Sequence, residues 1–312
     1  RLLVRRAMGA LIVEMAGTPE GEALALALAL LSAMAHALFG AIHKGGRDPY
    51  LNRGAINVAY ALGAAPFALF VLPWPQGPLW GALVGVFFIH LLYEWLQARS
   101  YTIGGFTVVY PIARGTGPLV IAVGAWAFLG EALSATQWLG LALLSGGIYG
   151  LAIANLRATG QADLSAAAKL RAAILTALAT GALIALYTVW DAWAIRLAAD
   201  PFTFLAWFFL LGGFGTPVIA AARWRRMAPE ARPAPVDLAA RGAFGALIAV
   251  FSFGAMFLAT RLDKVGEAAA LRETSIVFAT AIGVLVFRER IDAARLALIG
   301  VIALGAVVVE IG

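Results

Sequence analysis

The chain contains no cysteine, only three histidines in 312 residues, and charged side chains at just 13% of positions. The first absence excludes disulfides, thiolate metal sites and cysteine nucleophiles together. The scarcity of charge, set against 62% hydrophobic residues and a mean hydropathy of +0.88, excludes a domain with a solvated surface and places the chain in a bilayer. HExxH, GxSxG and GxxxxGK(S/T) motifs are missing as well, which removes the zinc-peptidase, serine-hydrolase and phosphate-loop readings. The pI near 10.0 comes without a clustered basic and aromatic face, so no nucleic-acid partner is expected.

What the chain does have is apolar runs. A hydrocarbon core about 30 Å thick needs about 20 apolar residues per helix, and ten such runs follow one another: residues 23–42, 55–72, 78–96, 106–129, 134–156, 172–195, 202–222, 244–260, 268–287 and 293–311. The expected fold class is an all-α membrane protein of ten transmembrane helices. The longest joint, RWRRMAPEARPAPVD, reads as a charged, proline-rich loop and not a domain. Lys and Arg concentrate after the odd-numbered spans, for example Lys44, Arg47 and Arg53 after the first and Arg223, Arg225 and Arg226 after the seventh. Retention of cations by cytoplasmic loops then predicts a multi-pass inner-membrane protein with both termini outside the cytoplasm. Residues 1–21 form an N-terminal segment whose apolar middle is too short to span. Met15 is a candidate start, and an interfacial amphipathic helix is the structural alternative.

An internal repeat decides the expected architecture. Arg114 lies seventeen positions before Glu131, and Arg272 seventeen before Glu289. Asp48-Pro49 follows span one as Asp200-Pro201 follows span six, Thr116 follows Arg114 as Thr274 follows Arg272, and Gly147 matches Gly305. The repeats are residues 22–157 and 165–312, with five spans each. An odd number of spans makes the second copy enter the membrane in the opposite sense, the inverted arrangement that supports alternating access, with cargo at the seam. GxxxG spacings at Gly81 and Gly85 and at Gly146 and Gly150 read as close helix contacts.

Ionisable groups at bilayer depth are the best markers of a pathway, because an Arg at the centre of a span costs about 2.5–3.5 kcal/mol on insertion scales. Tyr110, Arg114 and Gly117 share one face of span four, and Pro118 removes the hydrogen bond to the Arg114 carbonyl, which predicts a kink there. Position 276 is Ile276, so span nine lacks that kink. Arg272 sits beside Glu273, which either neutralises it or turns toward Arg114. Tyr187, Trp190 and Asp191 share a face of span six and suit an amine or aromatic group. Asp191 is the expected counter-ion of Arg114 or Arg272. His90 and Glu94, one turn apart on span three, form a candidate proton-coupling pair, and His36 is a cavity hydrogen-bonder. Glu131 and Glu289 read as structural groups that pair with Arg288 or Arg290 or cap the next span. Trp207 is the one residue of the aromatic seventh span with a cavity role.

Three stretches, HALFGAIHKGGRDP, YPIARGTGPLVIAVGAWAFLGEALSATQWLG and LRETSIVFATAIGVLVFRERI, resemble the ten-helix EamA-type transporters of the drug/metabolite transporter superfamily. The resemblance covers residues 22–312 and implies secondary transport of a small metabolite without ATP. The expected function is export of a small polar, amino-acid-like substrate by alternating access. The proposed site is His36, His90, Tyr110, Arg114, Tyr187, Trp190, Asp191 and Arg272, with Arg114 and Arg272 taking an anionic group. No cofactor and no metal are expected. The partners are the small-molecule substrate, membrane lipid and, as candidate coupling ion, the proton, in a monomer or homodimer. A flippase for a lipid-linked headgroup is the alternative within transport, and an intramembrane enzyme or a channel the alternatives outside it.

Overall fold

The computed structural model describes residues 2–43, 48–103, 106–158, 164–285 and 291–312. Among these residues every regular element is a helix. They are α1 (Leu2–Met15), α2 (Pro19–His43), α3 (Pro49–Pro66), which continues into a π-helical turn at Phe67–Val71, α4 (Pro78–Ile103), α5 (Phe106–Leu129), α6 (Ala135–Ala158) and α7 (Leu164–Leu197). There follow α8 (Pro201–Gly212), α9 (Thr216–Arg226), α10 (Pro235–Leu262), α11 (Val265–Glu273), α12 (Ser275–Leu285) and α13 (Ala293–Ile311). Nine helical segments of the described residues are long and apolar enough to cross a membrane. The run expected as span nine is divided between α11 and α12 and is not one of the nine.

The repeated Asp-Pro pairs have a local physical role. Asp48 accepts hydrogen bonds from the Tyr50 and Leu51 N–H groups (3.0 and 3.2 Å) at the start of α3. Asp200 accepts from the Phe202 N–H (2.9 Å) at the start of α8. In both, the carboxylate satisfies N–H groups that lack an intrahelical acceptor, and proline occupies the first helical position, where it loses nothing. This start places Arg53 inside α3 and not in the preceding loop.

Two runs expected to be continuous are interrupted. α5 stays helical through Pro118. Span nine is the one that breaks, at Thr274, whose hydroxyl (2.6 Å) and N–H (3.0 Å) both donate to the Leu271 carbonyl. That doubled bond three residues back tightens the turn and ends α11. Span seven breaks at residues 213–215, between α8 and α9. There Pro217 has no N–H to carry the helical ladder forward.

The chain divides into two compact units, each drawn from both halves of the sequence. Unit 1 is Arg1–Trp95 with Trp190–Asp263. In it α2 packs on α10, with Ser32 and Ser252 each donating to the other's carbonyl (2.7 and 3.3 Å). Its core is aromatic: Phe208 meets Phe257 edge to face at 4.6 Å and Phe204 meets Phe257 at 5.4 Å. Trp207, the cavity candidate of span seven, packs edge to face on Trp74 and Trp80 at 5.1 and 4.8 Å.

Unit 2 is Leu96–Val189 with Lys264–Gly312. Its closest pairing is α6 on α13, where Leu141, Leu144, Ile148, Ile302 and Val309 are buried together. A Cβ added at Gly140 would come within 2.8 Å of the Gly305 carbonyl, and one at Gly305 within 2.7 Å of the Gly140 carbonyl. The backbones touch, as small residues allow in membranes. The GxxxG expectation is thus relocated: beside Gly81 and Gly146 an added Cβ meets nothing, Gly85 lies under the Trp190 ring, and Gly150 under Leu298.

Candidate functional site

Unit 1 buries four ionisable side chains: Arg53 at 9%, Glu94 at 7%, His90 at 8% and Asp191 at 1% exposure. Charges at this depth in membrane helices persist only when paired or in use. Arg53 on α3 reaches Glu94 on α4 at 2.7 Å, Nη2 to Oε1. The other carboxylate oxygen accepts from Asn57 Nδ2 (2.9 Å) and from the Thr216 hydroxyl. Thr216 is the first residue of α9, so the break in span seven points a helix N-terminus and its hydroxyl at a negative charge, the favourable sense of the helix dipole. Asn57 also donates to the Gly212 carbonyl at the end of α8 (3.1 Å). One turn earlier on α4, His90 Nε2 lies 2.7 Å from Asp191 Oδ2 on α7. The predicted His90–Glu94 partnership is therefore replaced by two separate engagements.

Arg53, His90, Glu94 and Thr216 border a small cavity with about 30 Å³ of room, enough for a water molecule. Tyr60 and Phe208 are also in its wall, which draws on α3 and α4 from the first half of the sequence and on α8, α9 and α10 from the second. Two polar atoms of the cluster have no hydrogen-bond partner: Arg53 Nε, a donor, and Asn57 Oδ1, an acceptor. Buried polar groups are nearly always satisfied, and an orphaned pair of opposite sense marks a place for a ligand or water.

Unit 2 holds the second charged centre. Arg114, 4% exposed, grips Glu273, also 4% exposed, through Nε to Oε2 and Nη2 to Oε1, both 2.9 Å. The guanidinium thus meets both carboxylate oxygens, with one charge-assisted hydrogen bond from Nε and one close ion contact from Nη2. Arg272, buried in the last turn of α11, acts on the same carboxylate. The acid facing Arg114 is thus Glu273, one of the two arrangements the sequence left open for it, while Asp191 meets His90. Glu131 accepts from the Val265 N–H at 2.7 Å, capping α11. Glu289, Arg288 and Arg290 lie outside the described residues.

The remaining candidates fall in several places. Tyr187 is 3% exposed in unit 2. Trp190 lies in unit 1, where its indole N–H donates to the Ala82 carbonyl (3.0 Å) and its ring covers Gly85. It packs α7 on α4. His36, half-buried on α2, stacks near Phe39 at 6.3 Å. Tyr110 lies on α5, and its side chain is outside the described residues. Sequence reading missed Arg53, Asn57, Tyr60 and Thr216. The Asp48-Pro49 helix start was the available signal for Arg53, since it moves that residue into the first turns of a span. Among the described residues no group of three or more His, Asp or Glu is placed to hold a metal ion.

Comparison with known proteins agrees with this fold. Residues 171–311 match the EamA-like transporter family. That segment is thus similar to a family of the drug/metabolite transporter superfamily. Proteins of that kind are membrane transporters and not typically enzymes. A solved structure described as "Crystal structure of protein" superposes on 93% of this chain and 98% of its own length with a TM-score of 0.67 at 19% identity, a likeness of fold. No curated protein matches the sequence. The matched EamA segment contributes Asp191, Thr216, Arg272 and Glu273 to the charged centres, while Arg53, Asn57, His90, Glu94 and Arg114 come from the part that precedes it.

Proposed function

We propose that this protein is a secondary transporter that exports a small polar, amino-acid-like metabolite, and that the polar end of the cargo binds in unit 1 at the Arg53–Glu94 and His90–Asp191 pairs. One observation carries the reading: an unpartnered donor and an unpartnered acceptor, Arg53 Nε and Asn57 Oδ1, in a hydrogen-bonded cluster whose Arg53 and Glu94 border a cavity between membrane-spanning helices. A zwitterion offers the complement, a carboxylate for the guanidinium and an ammonium for the amide oxygen. The room of about 30 Å³ is too small for such a molecule, and on this reading the cavity opens to admit cargo during an alternating-access cycle. The two repeats, residues 22–157 and 165–312, supply the paired states of that cycle. His90 with Asp191 gives the site a protonatable pair, and the proton is the proposed coupling ion. Arg114 and Arg272 are proposed as a second charged centre on the route.

The test is a thermal-shift screen of the purified protein against metabolites, since a ligand that binds only the folded form raises its melting temperature, followed by counterflow of the labelled hit in proteoliposomes. Saturable exchange that Glu94→Gln abolishes without preventing membrane insertion is the expected result. Undiminished exchange by Glu94→Gln removes the unit 1 cluster from the cargo site.

A further inference from the structure

A second void in unit 1 has the opposite chemistry. It offers about 620 Å³ between α1, α3, α8 and α10, and its wall is apolar, with small residues such as Ala59, Gly63 and Gly254 set among larger ones such as Phe202 and Leu247. Gly254 is the telling residue. It is buried, yet a Cβ built on it would meet no atom within 4 Å. A buried backbone position facing open space means that the helix leaves room there and does not pack against a neighbour. Close packing is the rule in protein interiors, and an apolar void of this size excludes ordered water.

Tyr60 and Phe209 belong to the walls of both the polar cavity and the apolar groove. They meet edge to face at 5.2 Å and form the partition between the two. Tyr60 is oriented across that boundary. Its hydroxyl lies next to Gly212, a residue of the polar cavity wall. One molecule spanning the partition would find opposite charges and an orphaned donor and acceptor on one side, and hydrocarbon-like walls on the other.

From this juxtaposition we infer that the substrate is an amphiphile, with its charged head at Arg53–Glu94 and an unbranched apolar chain laid in the groove past Tyr60 and Phe209. The inference rests on the proposed cargo site and names the class of molecule it takes. The groove walls belong to membrane-spanning segments, so the chain stays in hydrocarbon while the head is drawn between the helices. Moving a chain from bilayer to groove gains little from the hydrophobic effect, because lipid tails are as apolar as the groove. Selectivity then comes from fit, and filling the groove should remove it.

The test uses the full chain in lipid nanodiscs with three probes: alanine, decanoic acid and α-aminodecanoic acid, which joins the amino-acid head to an eight-carbon chain. Thermal protection is expected from α-aminodecanoic acid at concentrations about tenfold below those at which alanine protects, a factor worth about 1.4 kcal/mol. Decanoic acid should give none of that advantage. Gly254→Leu and, independently, Gly63→Leu place a side chain in open space, so both should fold, abolish the tenfold advantage and leave alanine protection unchanged. Equal protection of wild type and both variants by the long-chain probe overturns the groove as a binding site, and so does the absence of any protection by it. Failure of the underlying site shows differently: Glu94→Gln would then retain the full response to α-aminodecanoic acid.

Discussion

Each unit buries a glutamate beside an interrupted helix, yet the two glutamates are held in different ways. Glu94 shares its two oxygens among Arg53, Asn57 and Thr216, three donors from α3 and α9, next to a cavity. Glu273 is held by guanidinium groups: Arg114 meets both of its oxygens, and Arg272 acts on it as well. A carboxylate matched to charges in this way is a self-contained centre. A carboxylate distributed over one charged and two neutral donors can exchange any one of them for a ligand while keeping the others, which suits a site that must bind and release. The interruptions place both acids: the break at residues 213–215 brings Thr216 to Glu94, and the break at Thr274 leaves Glu273 at the end of α11, turned to Arg114.

The largest effect that would break this comparison concerns the pairs themselves. Glu94→Ala and Glu273→Ala each strand a buried arginine and are expected to cost about 3–5 kcal/mol in unfolding free energy, read by thermal or denaturant melts in detergent. Replacing whole pairs separates the units. Arg114→Met with Glu273→Leu should regain most of the stability and retain some transport, whereas Arg53→Met with Glu94→Leu should regain stability and transport nothing. If the unit 2 double variant is as inactive as the unit 1 variant, the distinction between exchangeable and self-contained centres fails.

A middle-sized effect sharpens the role of the imidazole. Asp191→Asn preserves shape but removes the charge facing His90, and a cost of about 1–3 kcal/mol is expected. Counterflow should survive this change, while accumulation driven by an imposed pH gradient should not. Gradient-driven accumulation at the wild-type rate in the variant would assign coupling to another group.

The smallest effect lies outside the spans. Asp200, half-buried where α8 begins, has its carboxyl pushed above the usual range by burial, an effect that the Phe202 N–H partly opposes. Gly9 of α1 lies directly against that carboxylate. A raised value in the folded state means that protonation favours folding. Asp200 therefore contributes stability at low pH that is lost as pH rises through its folded-state value. Wild-type melting temperature should fall slightly as pH rises above the ordinary aspartate range, relative to Asp200→Asn, which keeps a capping oxygen. Parallel pH curves would show that the group carries no linkage.

The helical class, the EamA resemblance and the burial of His90, Arg114, Asp191 and Arg272 were legible in the sequence, because apolar run length and misplaced charge are local properties. Partner choice was not. Whether Arg114 meets Asp191 or Glu273 depends on how α5, α7 and α11 are arranged in space, and spacing along one helix carries no information on that. Proline was overlooked once: Pro217, at the start of α9 where the ladder from α8 ends, lay inside a run read as unbroken. Arg53 was lost to a loop because hydropathy begins the span at Ala55, whereas the Asp48 cap begins it six residues earlier.

The contact of Gly140 with Gly305 sets a mechanical condition on any transport cycle. With main chain resting on main chain, α6 and α13 have no compressible layer of side chains in which to slide, and lengthwise slip would drive each helix's carbonyls into the other's backbone. The two must travel as one strut, so whatever pivoting the protein undergoes has to be accommodated elsewhere.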